Sequence, residues 1–388
     1  MEKVDLNPVY ITSAGAFLPN DPVENHEIED FLGLVAGKPS RYRELVLNAN
    51  GIKKRHYAIN KDGQATHLNE ELAANAITAA LANRKIAVDQ IDFLATATTM
   101  PDLLIPGFAS MVHGRLTGSK AMDILSASGV CASSMAALKS AYHALKVGEH
   151  KRGVVVGSEL ASAVMKGPRF DKESMIDKGS DVPPSYQYFN ADFLRWMLSD
   201  GAAAVVLERE PNAIAPSLRI DWITIRSFAH IFPVCMYMGT SRPDNVTVGS
   251  TYQSKRTLQE AEAEGLFLLR QDTQLLAKGL EASVLGEAAR LVKEGQIVPE
   301  KIDHFLPHVS SMFFYEDYIK KCHEYGLAIP ESKWFTNLTY KGNTGAASIF
   351  IMLEEALNTG RFNKGDRILC MVPESGRFKV SYAHFTCV

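Results

Sequence analysis

Strand-like apolar runs alternate with helical segments along this chain, and they do so twice in a similar order, which restricts the fold to a layered α/β type with a mixed sheet covered on both faces. In the first pass, Val9 to Pro19 reads as a buried strand ending at a Gly/Pro turn, and a polar helical segment runs from Asn25 to about Leu34. An Ala-rich helix from Leu72 to Asn83, a strand from Ile91 to Ala97 and a helix from Gly107 to Arg115 follow. Strand Ala121 to Ser126, a helix ending near Gly148, strand Gly153 to Gly157 and strand Ala202 to Glu208 complete it. The second pass begins with strand Ile220 to Phe228 and an irregular segment from Phe232 to Lys255, then a helix from about Leu266 to Lys293. Strand His304 to His308, a helix through Tyr318, a helical segment Thr344 to Asn358, and strands Arg367 to Val372 and Phe378 to Thr386 close it. The element order predicts two related halves, residues 1–213 and 214–388, with the boundary near Glu210-Pro211-Asn212. No repeat of the residues themselves is visible.

The bulk properties narrow the function. At 388 residues and 46% hydrophobic, the chain can bury two cores. A net charge of −3 and the lack of a long basic run argue against a nucleic-acid partner. The longest basic cluster, Lys53-Lys54-Arg55-His56, reads either as a solvated turn or as a local site for an anionic group such as phosphate. The start of the chain has no apolar signal-peptide core, and no stretch approaches a membrane span, so a cytoplasmic protein is expected. Five widely spaced cysteines (131, 235, 322, 370 and 387), without CxxC pairs, suit a reducing compartment and predict neither a disulfide framework nor a metal site.

Ser126 to Leu138 places one of these cysteines between small residues and a helix whose Met135, Leu138, Tyr142 and Leu145 share a face. Cys131 then sits at or just before the first turn, where unpaired N–H groups and the helix dipole favour the thiolate and predict a lowered pKa. The same position also suits a small core residue. Downstream, His308 follows Pro307 at a strand end, and Asn343 lies in the small-residue turn Lys341 to Ser348. Singly, these read as a hydrogen-bonded histidine and a helix N-cap.

Together the three are more specific. With Asn50-Gly51-Ile52-Lys53-Lys54-Arg55, Val155-Val156-Gly157-Ser158-Glu159, Ser199 to Leu207, Leu306-Pro307-His308 and Gly342 to Ser348, the chain resembles the β-ketoacyl-acyl carrier protein synthase III family along nearly its whole length. The resemblance implies a thiolase-like fold, two related halves layered α-β-α-β-α. It implies a nucleophile Cys131 that accepts an acyl group, and His308 and Asn343 that donate hydrogen bonds to the carbonyl of a second thioester as its enolate forms. Backbone N–H groups of Cys131 and of Ser375 or Gly376 would hold the oxyanion. A homodimer is implied, with phosphopantetheine-linked acyl groups, on acyl carrier protein or coenzyme A, as substrates and no resident cofactor. Lys53, Lys54 and Arg55 are candidates for contacts with the carrier or its phosphate.

The sequence departs from the family in four places. Val309-Ser310-Ser311 follows His308 without the usual glutamine and basic residue, and a tryptophan is missing before Asn50-Gly51-Ile52. Pro373-Glu374-Ser375-Gly376-Arg377 replaces a glycine-rich loop, so Glu374 and Arg377 bring charge beside the site unless they point away. Inserts at about 166–190 and 232–260 would reshape the acyl tunnel. These features look most like the ketosynthases of dialkylresorcinol and stilbene biosynthesis, which join a β-ketoacyl thioester to an unsaturated acyl chain and close a cyclohexanedione. That chemistry needs a base, for which His308 and Glu159 are candidates; Glu159 also reads as a structural carboxylate. The alternatives are the starter-condensing synthase of fatty-acid synthesis using malonyl thioesters, an acyltransferase on the same fold, and an inactive partner subunit. A chalcone-synthase-like enzyme lacks support because its "GFGPG" loop is absent.

Overall fold

The computed structural model describes residues 6–171, 189, 192–240 and 246–388. The strands are β1 Tyr10–Phe17, β2 Val23–Glu24, β3 Lys54–Arg55, β4 Phe93–Thr98, β5 Asp123–Ser128, β6 Arg152–Glu159, β7 Gly201–Glu208, β8 Leu218–Ser227, β9 Met236–Tyr237, β10 Arg270–Gln271, β11 His304–Pro307, β12 Arg367–Pro373 and β13 Lys379–Cys387. Nine of them form one sheet in the order β11-β12-β13-β8-β1-β7-β6-β4-β5.

That sheet is two half-sheets joined at a narrow seam. From β1 outward the pairings are antiparallel to β7, antiparallel to β6, then parallel to β4 and β5. From β8 outward they are antiparallel to β13, antiparallel to β12, then parallel to β11. The seam is the antiparallel match of Tyr10 with Arg219 and Ile11 with Leu218. Among the described residues the C-terminal half has no full counterpart of β5: beyond β11 lies a parallel bridge from Phe305 to Trp334, with Phe335 N–H donating to Phe305 O at 2.9 Å.

Strand alternation sends the two faces of each half-sheet into different cores. Inward-facing Phe93, Ala95, Val155, Val205 and Leu207 of the first half share one core with Ile368, Cys370, Val372, Ala383 and Phe385 of the second. Between them lie the two central helices, Ser133–Val147 and Ser348–Asn358, which contribute Met135, Leu138 and Leu145, and Ile349, Phe350 and Leu353. On the other face of the first half, Leu94, Val154, Val156 and Val206 pack on helices Asn69–Arg84 and Phe108–Arg115. On the other face of the second, Phe305, Leu369, Met371 and Tyr382 pack on helices between Thr273 and Lys293 and at Tyr315–Glu324. The result is the five-layered thiolase-like α/β arrangement.

Small residues set the layer spacing. A Cβ on Gly15 of β1 would stand 2.2 Å from Ala80 N, so the Ala-rich helix Asn69–Arg84 lies directly on that strand. The predicted helix from Leu266 begins later, at Thr273, because the Asp272 carboxylate accepts from Gln274 N and Leu275 N, while Arg270 and Gln271 pair with β9. It also carries a π-helical turn over Glu281–Leu285. Of the two predicted inserts, residues 172–188, 190 and 241–245 fall outside the described residues. No described helix is long and apolar enough to cross a membrane.

Candidate active site

Cys131 and Asn343 occupy related places, each just ahead of a central helix. Cys131 precedes the N-cap residue Ala132, and the nucleophile turn is fixed by Ser133, whose N–H and Oγ both donate to Val130 O, at 2.9 and 2.7 Å. Asn343 follows Gly342 (φ 77°), where a Cβ would meet Ser199 Cβ at 2.7 Å. Asn343 forms a parallel bridge with Leu198, its carbonyl accepts from Ser199 N–H at 2.8 Å, and its Oδ1 accepts from Gly345 N–H at 3.1 Å. With Oδ1 engaged, the side-chain NH2 is the end left for a ligand.

Both residues line one cavity, together with Glu159, Ser199, Ser310 and Ser375. Its apolar wall includes Leu194, Met197, Leu269 and Leu276, and Met236 from the second insert. His308 continues β11 by donating its N–H to Met371 O at 2.8 Å, two residues before the cavity-lining Ser310. Its ring is buried, Nε2 has no hydrogen-bond partner, and burial lowers its pKa to about 4, so the imidazole is neutral at pH 7.

The thiol departs from expectation. Burial, and then the charges of Glu159 and Glu374, push the Cys131 pKa upward, outweighing the favourable influence of its own backbone N–H and of Lys379. At 7% exposure the desolvation cost of a thiolate exceeds what the helix end returns. Burial thus favours the thiol form of the resting cysteine.

Glu159 lies on the cavity wall at the end of β6. Thr99 N–H and Oγ1 donate to its carboxylate at 3.2 and 2.7 Å, and Ala346 N–H at 3.0 Å. Burial nonetheless raises its pKa to about 7. It ties β4, β6 and the turn after Asn343 together, so the structural reading applies whether or not it moves a proton. Gly345 (φ 49°) accommodates it, since a Cβ there would be 2.9 Å from Glu159 Oε1.

The remaining predicted residues are less uniform. Ser375 lines the cavity; Gly376 does not, and its carbonyl accepts from Cys235 and Met236 N–H at 2.9 and 3.2 Å. Lys53 and Lys54 are exposed, Lys54 beside Glu24 at 3.7 Å. Arg55 corrects the expectation of a carrier contact: it is fully buried, donating to Asn25 Oδ1 at 2.9 Å and to the carbonyls of Ile52 and Trp196. A guanidinium inside the protein cannot meet a phosphate at the surface. Arg377 points away, its Nε donating to Phe232 O at 3.0 Å, whereas Glu374 points inward and pairs with Lys379. Thr99, Ser310 and Lys379 carry no motif that would single them out in the sequence.

Comparison with known proteins agrees with this geometry. Residues 65–213 match the model of the β-ketoacyl synthase N-terminal domain, and residues 292–376 that of the 3-oxoacyl-[acyl-carrier-protein] synthase III C-terminal domain. Each half of the chain thus carries a match to a ketosynthase domain model, and the fold is thiolase-like. Similar solved structures include the tetronic acid condensing enzyme AbyA1, at 20% identity over 97% of this chain and 99% of that one, with a TM-score of 0.74. The 3-oxoacyl-[acyl-carrier-protein] synthase III of Aquifex aeolicus VF5 is 20% identical over 98% and 99% (TM-score 0.68). OleA from Xanthomonas campestris is 22% identical over 98% and 99% (TM-score 0.70).

Proposed function

We propose that the chain transfers an acyl group from a thioester to Cys131 and joins it to a second thioester by Claisen-type carbon–carbon bond formation. The observation that carries this reading is the shared cavity: a cysteine ahead of one central helix and an asparagine amide ahead of the other line one largely apolar space. In the second step, charge develops on the thioester oxygen of the incoming substrate. Asn343 donates at any pH, and a neutral His308 with a vacant Nε2 can donate there without first losing a proton to water. The N–H groups of Cys131 and Ser375 serve the oxyanion of the first step.

The second substrate in this proposal is a β-ketoacyl thioester, and the acyl group on Cys131 an unsaturated chain, with ring closure to a cyclohexanedione as in dialkylresorcinol formation. Support comes from the carboxylates at the cysteine, which disfavour a malonyl carboxylate and favour removal of an acidic α-proton. The thioesters are carried on acyl carrier protein or coenzyme A, with Lys53 and Lys54 as exposed cations for the phosphate, in a cytoplasmic homodimer without a resident cofactor. The test is intact-protein mass spectrometry of wild type and Cys131→Ala with a panel of acyl thioesters, followed by malonyl or β-ketoacyl thioester and product analysis. Acyl mass on wild type only, then release of a cyclic diketone from the β-ketoacyl donor, is the expected result. Equal labelling of Cys131→Ala refutes the nucleophile, and turnover with malonyl alone refutes the substrate class.

A further inference from the structure

The short strand β3 touches three pieces of the site without lining its cavity. Lys53 N–H, just before it, donates to Thr339 O at 2.8 Å, and His56 N–H, just after it, donates to Ser199 Oγ at 2.9 Å. Between them the side chain of Arg55 is fully buried. Its Nη1 donates to Asn25 Oδ1 at 2.9 Å, and its Nη2 to the carbonyls of Ile52 at 3.5 Å and Trp196 at 3.4 Å. The base of the side chain packs on the turn that leads into Asn343: a Cβ on Gly342 would stand 3.1 Å from Arg55 Cβ and 2.7 Å from Ser199 Cβ.

Each contact reaches the cavity within a few residues. Trp196 is followed by Met197, Leu198 and Ser199, all three of which line it. Leu198 forms the bridge to Asn343, and Ser199 N–H donates to Asn343 O at 2.8 Å. The segment that the guanidinium grips is therefore the one on which the Asn343 backbone rests.

Stability alone does not account for a guanidinium in this place. Among the described residues its hydrogen-bond partners are all uncharged, and Nε has none. A buried cation without a counter-ion is costly, and an apolar side chain of similar length would fill the same space more cheaply. Such a side chain lacks the rigid fork of N–H donors that ties separate segments together through their carbonyls. We propose that Arg55 is a positioning residue for the carbon–carbon step: by gripping the Trp196 carbonyl and packing beneath Gly342, it holds the 196–199 segment, and through it the Asn343 amide, in the orientation that meets the second thioester. The proposal rests on the reading of Asn343 as a donor in that step.

A merely structural arginine and a positioning one predict different outcomes. Loss of a structural residue lowers loading of Cys131 and condensation together; loss of a positioning residue slows the second and spares the first. The experiment compares wild type, Arg55→Lys and Arg55→Met, with thermal unfolding as a folding control. Loading from decanoyl-coenzyme A is followed by intact-protein mass spectrometry, and the carbon–carbon step of the loaded enzyme by single-turnover product analysis with 3-oxooctanoyl-coenzyme A or malonyl-coenzyme A. In Arg55→Met the expected result is loading as in wild type and a carbon–carbon step about 30-fold slower, with Arg55→Lys between the two. Hydrogen exchange at the Ser199 amide, the last link to Asn343, should be about 10-fold faster in Arg55→Met. Loading and condensation that fall together, a carbon–carbon step equal to wild type, or unchanged protection of Ser199 overturns the proposal. If Arg55→Met does not fold, Arg55→Lys decides by the same comparisons. If wild type takes no acyl group or forms no carbon–carbon bond, the reading of the site as a condensing centre fails, and the Ser199 exchange rates alone decide whether Arg55 holds the Asn343 turn.

Discussion

In the proposed condensation His308 and Asn343 act as neutral donors, and their value would lie in being already oriented when charge appears. Removing one such donor costs on the order of 3 kcal/mol of transition-state stabilisation, so His308→Ala and Asn343→Ala should each slow condensation by about 100-fold or more. Loading of Cys131 should persist in both, which single-turnover mass spectrometry can separate from the carbon–carbon step. Glu159 makes a distinct prediction about pH. Its folded pKa of about 7 lies above the ordinary 4.5, so between these values the folded protein holds a proton that the unfolded chain has released. Stability from this group is therefore lost as pH rises through that window, by an amount on the order of 3 kcal/mol. Glu159→Gln should flatten the fall in melting temperature between pH 5 and 8; an unchanged profile would show the carboxyl to be ionised throughout. That Cys131 and Asn343 line one cavity follows the sequence reading, in which each interrupts a regular pattern with a chemically specific side chain. The direction of the thiol shift was not legible there, because burial and the approach of Glu159 and Glu374 are tertiary facts.

At the level of elements, the close approach of β6 to the turn after Asn343 is a sensitive joint. A Cβ on Gly157 would lie 2.5 Å from Ala346 O, so Gly157→Ala must push the 345–347 turn away from the strand. We expect a loss of about 1–3 kcal/mol, seen as a lower melting temperature, with a further drop in condensation because the donor to Glu159 sits on the displaced turn and Gly345 N–H, which holds Asn343 Oδ1, moves with it. Most long elements could be read from periodicity: all four residues predicted to share the Cys131 helix face, Met135, Leu138, Tyr142 and Leu145, are buried. The helix after Leu266 was misread at its start because its apolar residues continue upstream, while the stop signal, the Asp272 side chain capping Gln274 and Leu275, depends on where the backbone turns. The near-absence of a fifth strand at Trp334 was equally invisible, since strand pairing is decided by a neighbour distant in sequence.

For the molecule as a whole, the element order seen in the sequence corresponds to a repeated pairing pattern in space, but the narrow seam of β1 and β8 that merges the half-sheets could not be foreseen from order alone. The exposed face of β5 adjoins a strongly apolar loop: Leu104 and Ile105 are 85% and 86% exposed, just before a helix held to β5 by the Ala109 N–H to Ser126 Oγ hydrogen bond of 2.8 Å. We expect a dimer in sedimentation, and a shift toward monomer in Leu104→Asp/Ile105→Asp; a wild-type monomer, or a variant that remains dimeric, would exclude this surface.

The two ends of the nine-stranded sheet are not alike. β5 presents an open ladder with three of its six residues exposed, whereas β11 is bridged at Phe305 by the chain passing through Trp334 and Phe335. A ribbon with one freer selvedge would be sewn to a copy of itself along that edge: a seam of β5 against β5 would use up the loose edge on both, and growth by strand addition would then stop at two.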